Sequence, residues 1–154
     1  MEVIDIKWHR ARPPGLFFGK IGLINMKATL DRIDEISLVA LNLWPHHSLD
    51  DIKNVINKYI QREDTSVFIC VIDGKCVGVA LVSLRHDYVE GCATSPVGYL
   101  EGICVENDYR KSGVASKLCK ECEDWAKGQR MQRICFRLRT EQRRILPVSF
   151  EYWF

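Results

Sequence analysis

The chain has 154 residues, 47% hydrophobic and 27% charged, with a formal net charge of +2; that length suits one domain with a sizeable core. No apolar run reaches the roughly 18 to 20 residues of a membrane span, and Met1 to Gly22, with Lys7, Arg10, Arg12 and two prolines, lacks the apolar centre of a signal peptide. A soluble, cytoplasmic protein with no membrane partner is therefore expected.

The near-neutral total hides an asymmetry. Residues 26–128 carry 12 Lys and Arg against 16 Asp and Glu, whereas residues 1–25 carry 4 against 2 and residues 129–154 carry 6 against 2. An acidic body argues against a nucleic-acid surface there and suits either a cationic ligand or a plain solvated face. The seven cysteines are odd in number and lie mostly in apolar segments, as Cys70, Cys76 and Cys104 do. Reduced core thiols fit this better than a disulfide framework.

In chain order, residues 1–20 have no sustained period, and Arg12-Pro13-Pro14-Gly15 reads as turn or linker. Ile21 to Ala28 is a candidate first strand. Thr29 is placed as N-cap of a helix carrying Ile33, Ile36, Ala40, Leu43 and Trp44 on one side. Pro45 ends it, and Ser48 with Asp51 three residues on predicts a capped second helix bearing Ile52, Val55, Ile56, Tyr59 and Ile60. His46 and His47 lie in the intervening loop with no third ligand at metal spacing, so no metal is expected.

Val67 to Ile72 is a β-branched strand, Asp73-Gly74 a hairpin turn, and Cys76 to Tyr88 the returning strand. After a turn at Glu90 to Pro96 comes a short apolar strand, Gly98 to Val105. Val114, Ala115, Leu118, Cys122, Trp125 and Ala126 then recur at helical spacing. Cys119 and Cys122 fall on this helix with no second pair to complete a tetrahedral site. Between strand and helix stands Arg110-Lys111-Ser112-Gly113-Val114-Ala115. Such a loop points consecutive backbone N–H groups and the helix dipole at an anion, Gly113 permits close approach, and Arg110 and Lys111 add positive charge.

That sextet resembles the Arg/Gln-x-x-Gly-x-Gly/Ala signature with which GNAT acetyltransferases hold the pyrophosphate of acetyl-coenzyme A. The element order is similar to the opening of the GNAT fold, an α/β (α+β) architecture with a mixed, mostly antiparallel sheet flanked by helices. Leu43-Trp44-Pro45, the run Leu84 to Gly91 (Leu-Arg-His-Asp-Tyr-Val-Glu-Gly) and the run Thr94 to Ile103 narrow the resemblance to aminoglycoside 6′-N-acetyltransferases of the resistance type. The likeness covers about Ile24 to Lys127.

The resemblance implies acetyl-coenzyme A as co-substrate, held by Arg110, Lys111, Ser112, Gly113, Val114 and Ala115, with backbone N–H groups near Ile103 and Val105 taking the thioester oxygen and pantetheine. An aminoglycoside, or another small cationic amine, would be the acceptor. Glu101, the only carboxylate inside the apolar central strand, would bind the ammonium and help remove its proton, since burial disfavours its charged form. Strand alternation leaves open which face it takes. Trp44 and Tyr88 would line the acceptor site or serve as packing. No covalent enzyme intermediate is implied, so no cysteine is needed as nucleophile. Two other readings share these residues: an acetyltransferase of a polyamine or protein amine, and a non-catalytic coenzyme-binding fragment.

After Lys127 the resemblance stops. The expected organisation is an extension at residues 1–23, the acetyltransferase domain at 24–128, and an Arg-rich tail at 129–154 in place of the last strands, where the family has part of its substrate pocket and its homodimer contacts. Arginines 130, 133, 137, 139, 143 and 144 lack the interleaved aromatics of a nucleic-acid arm. The tail reads as a frame slip. Spelled AGA ATT TGC TTC AGA CTG CGA ACA, Arg133 to Thr140 becomes Glu-Phe-Ala-Ser-Asp-Cys-Glu one base on, which is similar to the strand expected there, and the same register can end in Phe-His-Leu-Asn-Ile-Gly-Phe. Weak or absent activity is expected of the chain as written.

Overall fold

The computed structural model describes residues 23–86 and 96–129. Among these residues four strands form one antiparallel sheet in the order β1-β2-β3-β4: β1 (Leu23–Lys27), β2 (Thr65–Ile72), β3 (Lys75–Arg85) and β4 (Val97–Val105). Helices α1 (Ile33–Ala40) and α2 (Leu49–Gln61) lie between β1 and β2, and α3 (Val114–Gly128) follows β4.

Local chemistry accounts for most boundaries. Ser48 and Asp51 form a reciprocal capping box, with the Asp51 N–H donating to Ser48 Oγ at 3.2 Å and the Ser48 N–H donating to Asp51 Oδ2 at 3.3 Å. At the β2–β3 hairpin, Asp73 and Gly74 both adopt positive φ, 51° and 79°, the backbone that matches the twist of a two-residue turn. Thr29 departs from its expected role. It precedes a 3-10 turn at Leu30–Arg32, and its side chain makes no capping hydrogen bond. The helix expected to reach Trp44 also tightens into a second 3-10 turn at Leu41–Leu43, because the residue before Pro45 is pushed out of helical backbone; Trp44 has φ −134° and ψ 68°.

The β2 and β3 strands are covered on both faces, which is why they read as continuous apolar runs rather than alternating ones. Two glycines identify the covers. A Cβ on Gly78 would stand 2.9 Å from Val114 Cγ1 and 3.0 Å from Leu118 Cδ1, so α3 lies against that face. One on Gly102 would stand 3.0 Å from Leu43 Cδ1 and 3.7 Å from the Trp44 ring. The α1–α2 layer therefore covers the opposite face. The core joins Ile36, Ile56, Ile69, Leu81 and Val79 with Leu118 and Cys122 of α3.

Among the described residues, Lys53 reaches Asp34 at 2.7 Å, tying α2 to α1 within their layer, and the Cys76 N–H donates to Glu35 at 3.2 Å, tying that layer to the sheet. No helix among the described residues is long and apolar enough to cross a membrane. Tyr88, the 1–22 part of the expected extension and the frame-slip tail from 130 onward lie outside the described residues.

Candidate active site

The decisive local feature is a bulge in β4. Leu81 pairs with Gly102 but the next β3 residue, Val82, pairs with Leu100, so Glu101 is the extra residue. Ile103 and Val105 pair with Ala80 and Gly78 on the α3 face. Unbroken alternation back from them would turn Glu101 to that face as well. The bulge turns it instead to the α1–α2 face, beside Gly102 and the Trp44 ring that sits over Gly102. Trp44 and Glu101 are thus brought to one side of the sheet.

On that side Glu101 is held by β3. Its Oε1 accepts from Ser83 Oγ at 2.7 Å and from Arg85 Nε at 2.9 Å and Nη2 at 2.8 Å; its Oε2 accepts from Arg85 Nη2 at 2.8 Å. The Arg85 guanidinium also lies over the Tyr99 ring, 4.1 Å from its centroid, a stacking that fixes its plane. Tyr59 of α2 belongs to the same neighbourhood. Burial, and then the negative charge of Glu101, push its phenol up to about 12.

Ser83, Arg85, Tyr99 and Tyr59 were not singled out by the sequence. A usable signal was present, however: Arg85 is the only cation between Cys76 and Arg85, and Glu101 the only carboxylate in β4. Opposite charges on consecutive antiparallel strands are a cross-strand pairing signal.

The far end of β4 has a different chemistry. The Glu106 N–H donates to the Val77 carbonyl at 2.8 Å, so the alternation of an antiparallel ladder turns the N–H groups of Ile103 and Val105 toward the strand's other edge. Among the described residues that edge has no neighbouring strand. Arg110 Nε donates to the Val105 carbonyl on the same edge at 3.1 Å, pinning the loop to the strand end.

The loop itself is strongly curved. Lys111 has φ 62° and Gly113, the residue before α3, has φ 86° and ψ 5°, left-handed backbone that turns successive N–H groups inward as in anion-binding nests. Ser112 Oγ closes the turn by donating to the Tyr109 carbonyl. The first backbone bond from within α3 to the loop runs from the Lys117 N–H to the Gly113 carbonyl at 3.1 Å. The N–H groups of Val114, Ala115 and Ser116 therefore have no backbone acceptor among the described residues. A Cβ on Gly113 would meet nothing within 4 Å, so the space over this helix start is open. Val114 and Ala115 have their side chains buried against the sheet and offer the site only their backbone. A diphosphate fits this donor set.

Among the described residues no thiol hydrogen-bonds to Glu101 or to the loop before α3. Burial pushes Cys76 and Cys119 up to about 12 and Cys104 up to about 11, and it holds Cys122 well above the usual thiol range. His46 and His47 are exposed on the loop before α2. Among the described residues no three His, Cys, Asp or Glu side chains converge as a metal site would require.

The described residues form a four-stranded antiparallel sheet between a helical pair and a single helix, with a curved, N–H-lined loop at one end of its bulged fourth strand, and the acetyltransferase (GNAT) family matches residues 30–144. The chain belongs to that family. The matched span runs past α3 into the arginine-rich tail.

Among individual relatives, it is similar to aminoglycoside N(6′)-acetyltransferase type 1 of Salmonella typhimurium, 41% identical over 83 residues that make up 54% of this chain and 57% of the relative. The chain thus spans little more than half the length of that curated relative. Of solved structures, aminoglycoside N-acetyltransferase AAC(6′)-Iy in complex with CoA superposes with a TM-score of 0.76 at 28% identity, over 80% of this chain and 81% of the other. The same enzyme with the bisubstrate analogue CoA-S-monomethyl-acetylneamine gives 0.73 at 29% identity, over 79% and 82%.

Proposed function

We propose that the chain is an aminoglycoside 6′-N-acetyltransferase that uses acetyl-coenzyme A. The observation that carries this reading is the pairing of two unlike groups along β4, a carboxylate on the α1–α2 side at its bulge and, beyond its end, a curved loop whose N–H groups have no backbone acceptor among the described residues. A donor with a diphosphate and an acceptor with an ammonium are the two molecules such a strand would bring together. The sequence and structural likeness to enzymes named for aminoglycoside acetylation supports the choice of acceptor.

Each residue has a definable task. Arg110, Lys111 and the N–H groups from Ser112 to Ala115 would hold the diphosphate, and the N–H groups of Ile103 and Val105 the pantetheine and thioester oxygen. When bound, acetyl-coenzyme A supplies an activated acyl group with a thiolate as leaving group. Trp44 would give the sugar ring an apolar wall, Tyr88 a second one, and Glu101 an acceptor for the 6′-ammonium. That amine must lose a proton before it can attack, and Glu101 would hold it in place while a water or the bulk solvent takes the proton. None of these tasks asks for a thiol nucleophile. A homodimer belongs to the same reading.

Thiol release from acetyl-coenzyme A, measured with kanamycin or tobramycin against spermidine and a peptide amine, tests the acceptor. Turnover confined to the aminoglycosides, reduced about 100-fold or more in Glu101→Gln, is the expected result. Turnover only on the other amines would overturn the acceptor, and coenzyme binding with no turnover in a frame-restored version would favour the non-catalytic fragment. The chain as written is expected to be the slower of the two versions.

A further inference from the structure

We infer that Arg85 and Ser83 are positioning residues that saturate one oxygen of Glu101 and leave the other to receive the substrate ammonium, an inference that rests on the acceptor reading above. The hydrogen bonds are unevenly shared. Among the described residues Oε1 accepts three, from Ser83 Oγ, Arg85 Nε and Arg85 Nη2, while Oε2 accepts one, from Nη2. A carboxylate has about four lone-pair sites, so Oε1 is fully used and Oε2 keeps one directed site free.

The holder is stiff on every side. Arg85 is stacked on Tyr99 and forked onto the carboxylate, and Ser83 and Tyr99 are register partners across β3 and β4. The bulge that makes Glu101 an extra residue brings its side chain to the same face as both. The Glu101 side chain is 19% exposed and that of Arg85 42%, so the carboxylate is sheltered while the arginine covers it from the solvent side.

A guanidinium that merely balanced charge could be displaced by a polycationic sugar. One that forks onto the carboxylate and lies flat on a ring instead sets the direction from which the ammonium must come. Arg85 therefore stays on Glu101 when substrate binds, and the ammonium adds to Oε2 rather than replacing the arginine. The arginine acts through Glu101 on the position of the amine, without itself meeting the reacting atoms.

The test uses the full chain with coenzyme A present, neamine as acceptor probe, and arginine Nε–H resonances as reporter. A slowly exchanging Nε–H signal that disappears in Arg85→Lys and in Glu101→Gln assigns the fork. With neamine at saturation in calorimetry, that signal is expected to shift and persist. Its collapse to solvent-exchanging behaviour would overturn the inference while leaving the acceptor reading intact; no heat from neamine would remove both.

In turnover, Arg85→Met is expected to lower kcat roughly 30- to 100-fold with KM for the aminoglycoside no higher than in the parent, because the carboxylate remains but is aimed wrongly. Arg85→Lys keeps the charge without the fork and is expected to stay about tenfold below the parent. Full activity in the lysine variant, or a rise in KM matching the fall in kcat/KM, would contradict a positioning role. Unchanged coenzyme affinity and melting temperature in both variants separate this from a loss of fold.

Discussion

Gly78→Ala probes how the anion loop is held to the sheet. The added methyl would stand 2.9 Å from Val114 Cγ1 and 3.0 Å from Leu118 Cδ1. Leu118 presents the far end of a flexible chain and can move aside. Val114 is β-branched, fully buried and the first residue of α3, so relief there must come from shifting the helix start.

Overpacking of this kind costs about 1 to 3 kcal/mol, which in a domain of this size lowers Tm by roughly 3 to 10 °C. Val114→Ala alone leaves a hole and costs about 2 kcal/mol. In the double variant the methyl occupies space that Cγ1 vacates, so the combined loss should fall short of the sum by about 1 kcal/mol or more. Denaturant unfolding of the four proteins measures that coupling, and calorimetry follows its consequence: coenzyme A affinity should drop in Gly78→Ala and recover in the double variant. Losses that add to within about 0.3 kcal/mol would refute the packing argument.

Other consequences follow from the same structure. Because Tyr59 ionises at about 12 in the folded chain rather than at 10, the stability it contributes by staying protonated is complete below pH 10 and is lost as pH rises from there through about 12. Melting temperatures across that window should fall more steeply in the parent than in Tyr59→Phe, and parallel curves would contradict the burial of the phenol. Cys76, Cys104 and Cys122, all buried, should resist alkylation at neutral pH until the protein is unfolded, read by mass spectrometry of the labelled peptides; rapid labelling of the folded chain would reverse the assignment of core thiols. In the gene, the codons for Arg133 to Thr140 should spell Glu-Phe-Ala-Ser-Asp-Cys-Glu in the neighbouring frame, and codons that cannot do so remove the frame slip as the origin of the tail.

Much of this architecture was legible in the sequence because its signals are local. Ser48 with Asp51 marked the start of α2, Asp73-Gly74 the hairpin, and the spacing of Val114, Leu118 and Cys122 the buried side of α3; each rests on backbone or helical geometry within a few residues. The left-handed backbone at Gly113 was foreseeable from glycine alone, whereas that of Lys111 was not, since a lysine carries no such preference. The orientation of Glu101 could not be read from β4, because the register slip between Leu81 and Val82 is a relation between two strands. For the same reason the fork from Arg85 is not written in either strand alone: its partner lies sixteen residues away, and only pairing brings Ser83, Arg85, Tyr99 and Glu101 together. Thr29 misled as a cap because a 3-10 turn at Leu30–Arg32 takes up the chain before α1 begins.

Use of acetyl-coenzyme A requires above all that the loop after Tyr109 bind a diphosphate. Titration calorimetry of the full chain with coenzyme A, beside pantetheine, which keeps the thiol arm but lacks the diphosphate, addresses this directly. Saturable binding of coenzyme A with pantetheine weaker by about tenfold or more is the predicted result. Equal affinities, or no binding of coenzyme A, would contradict it.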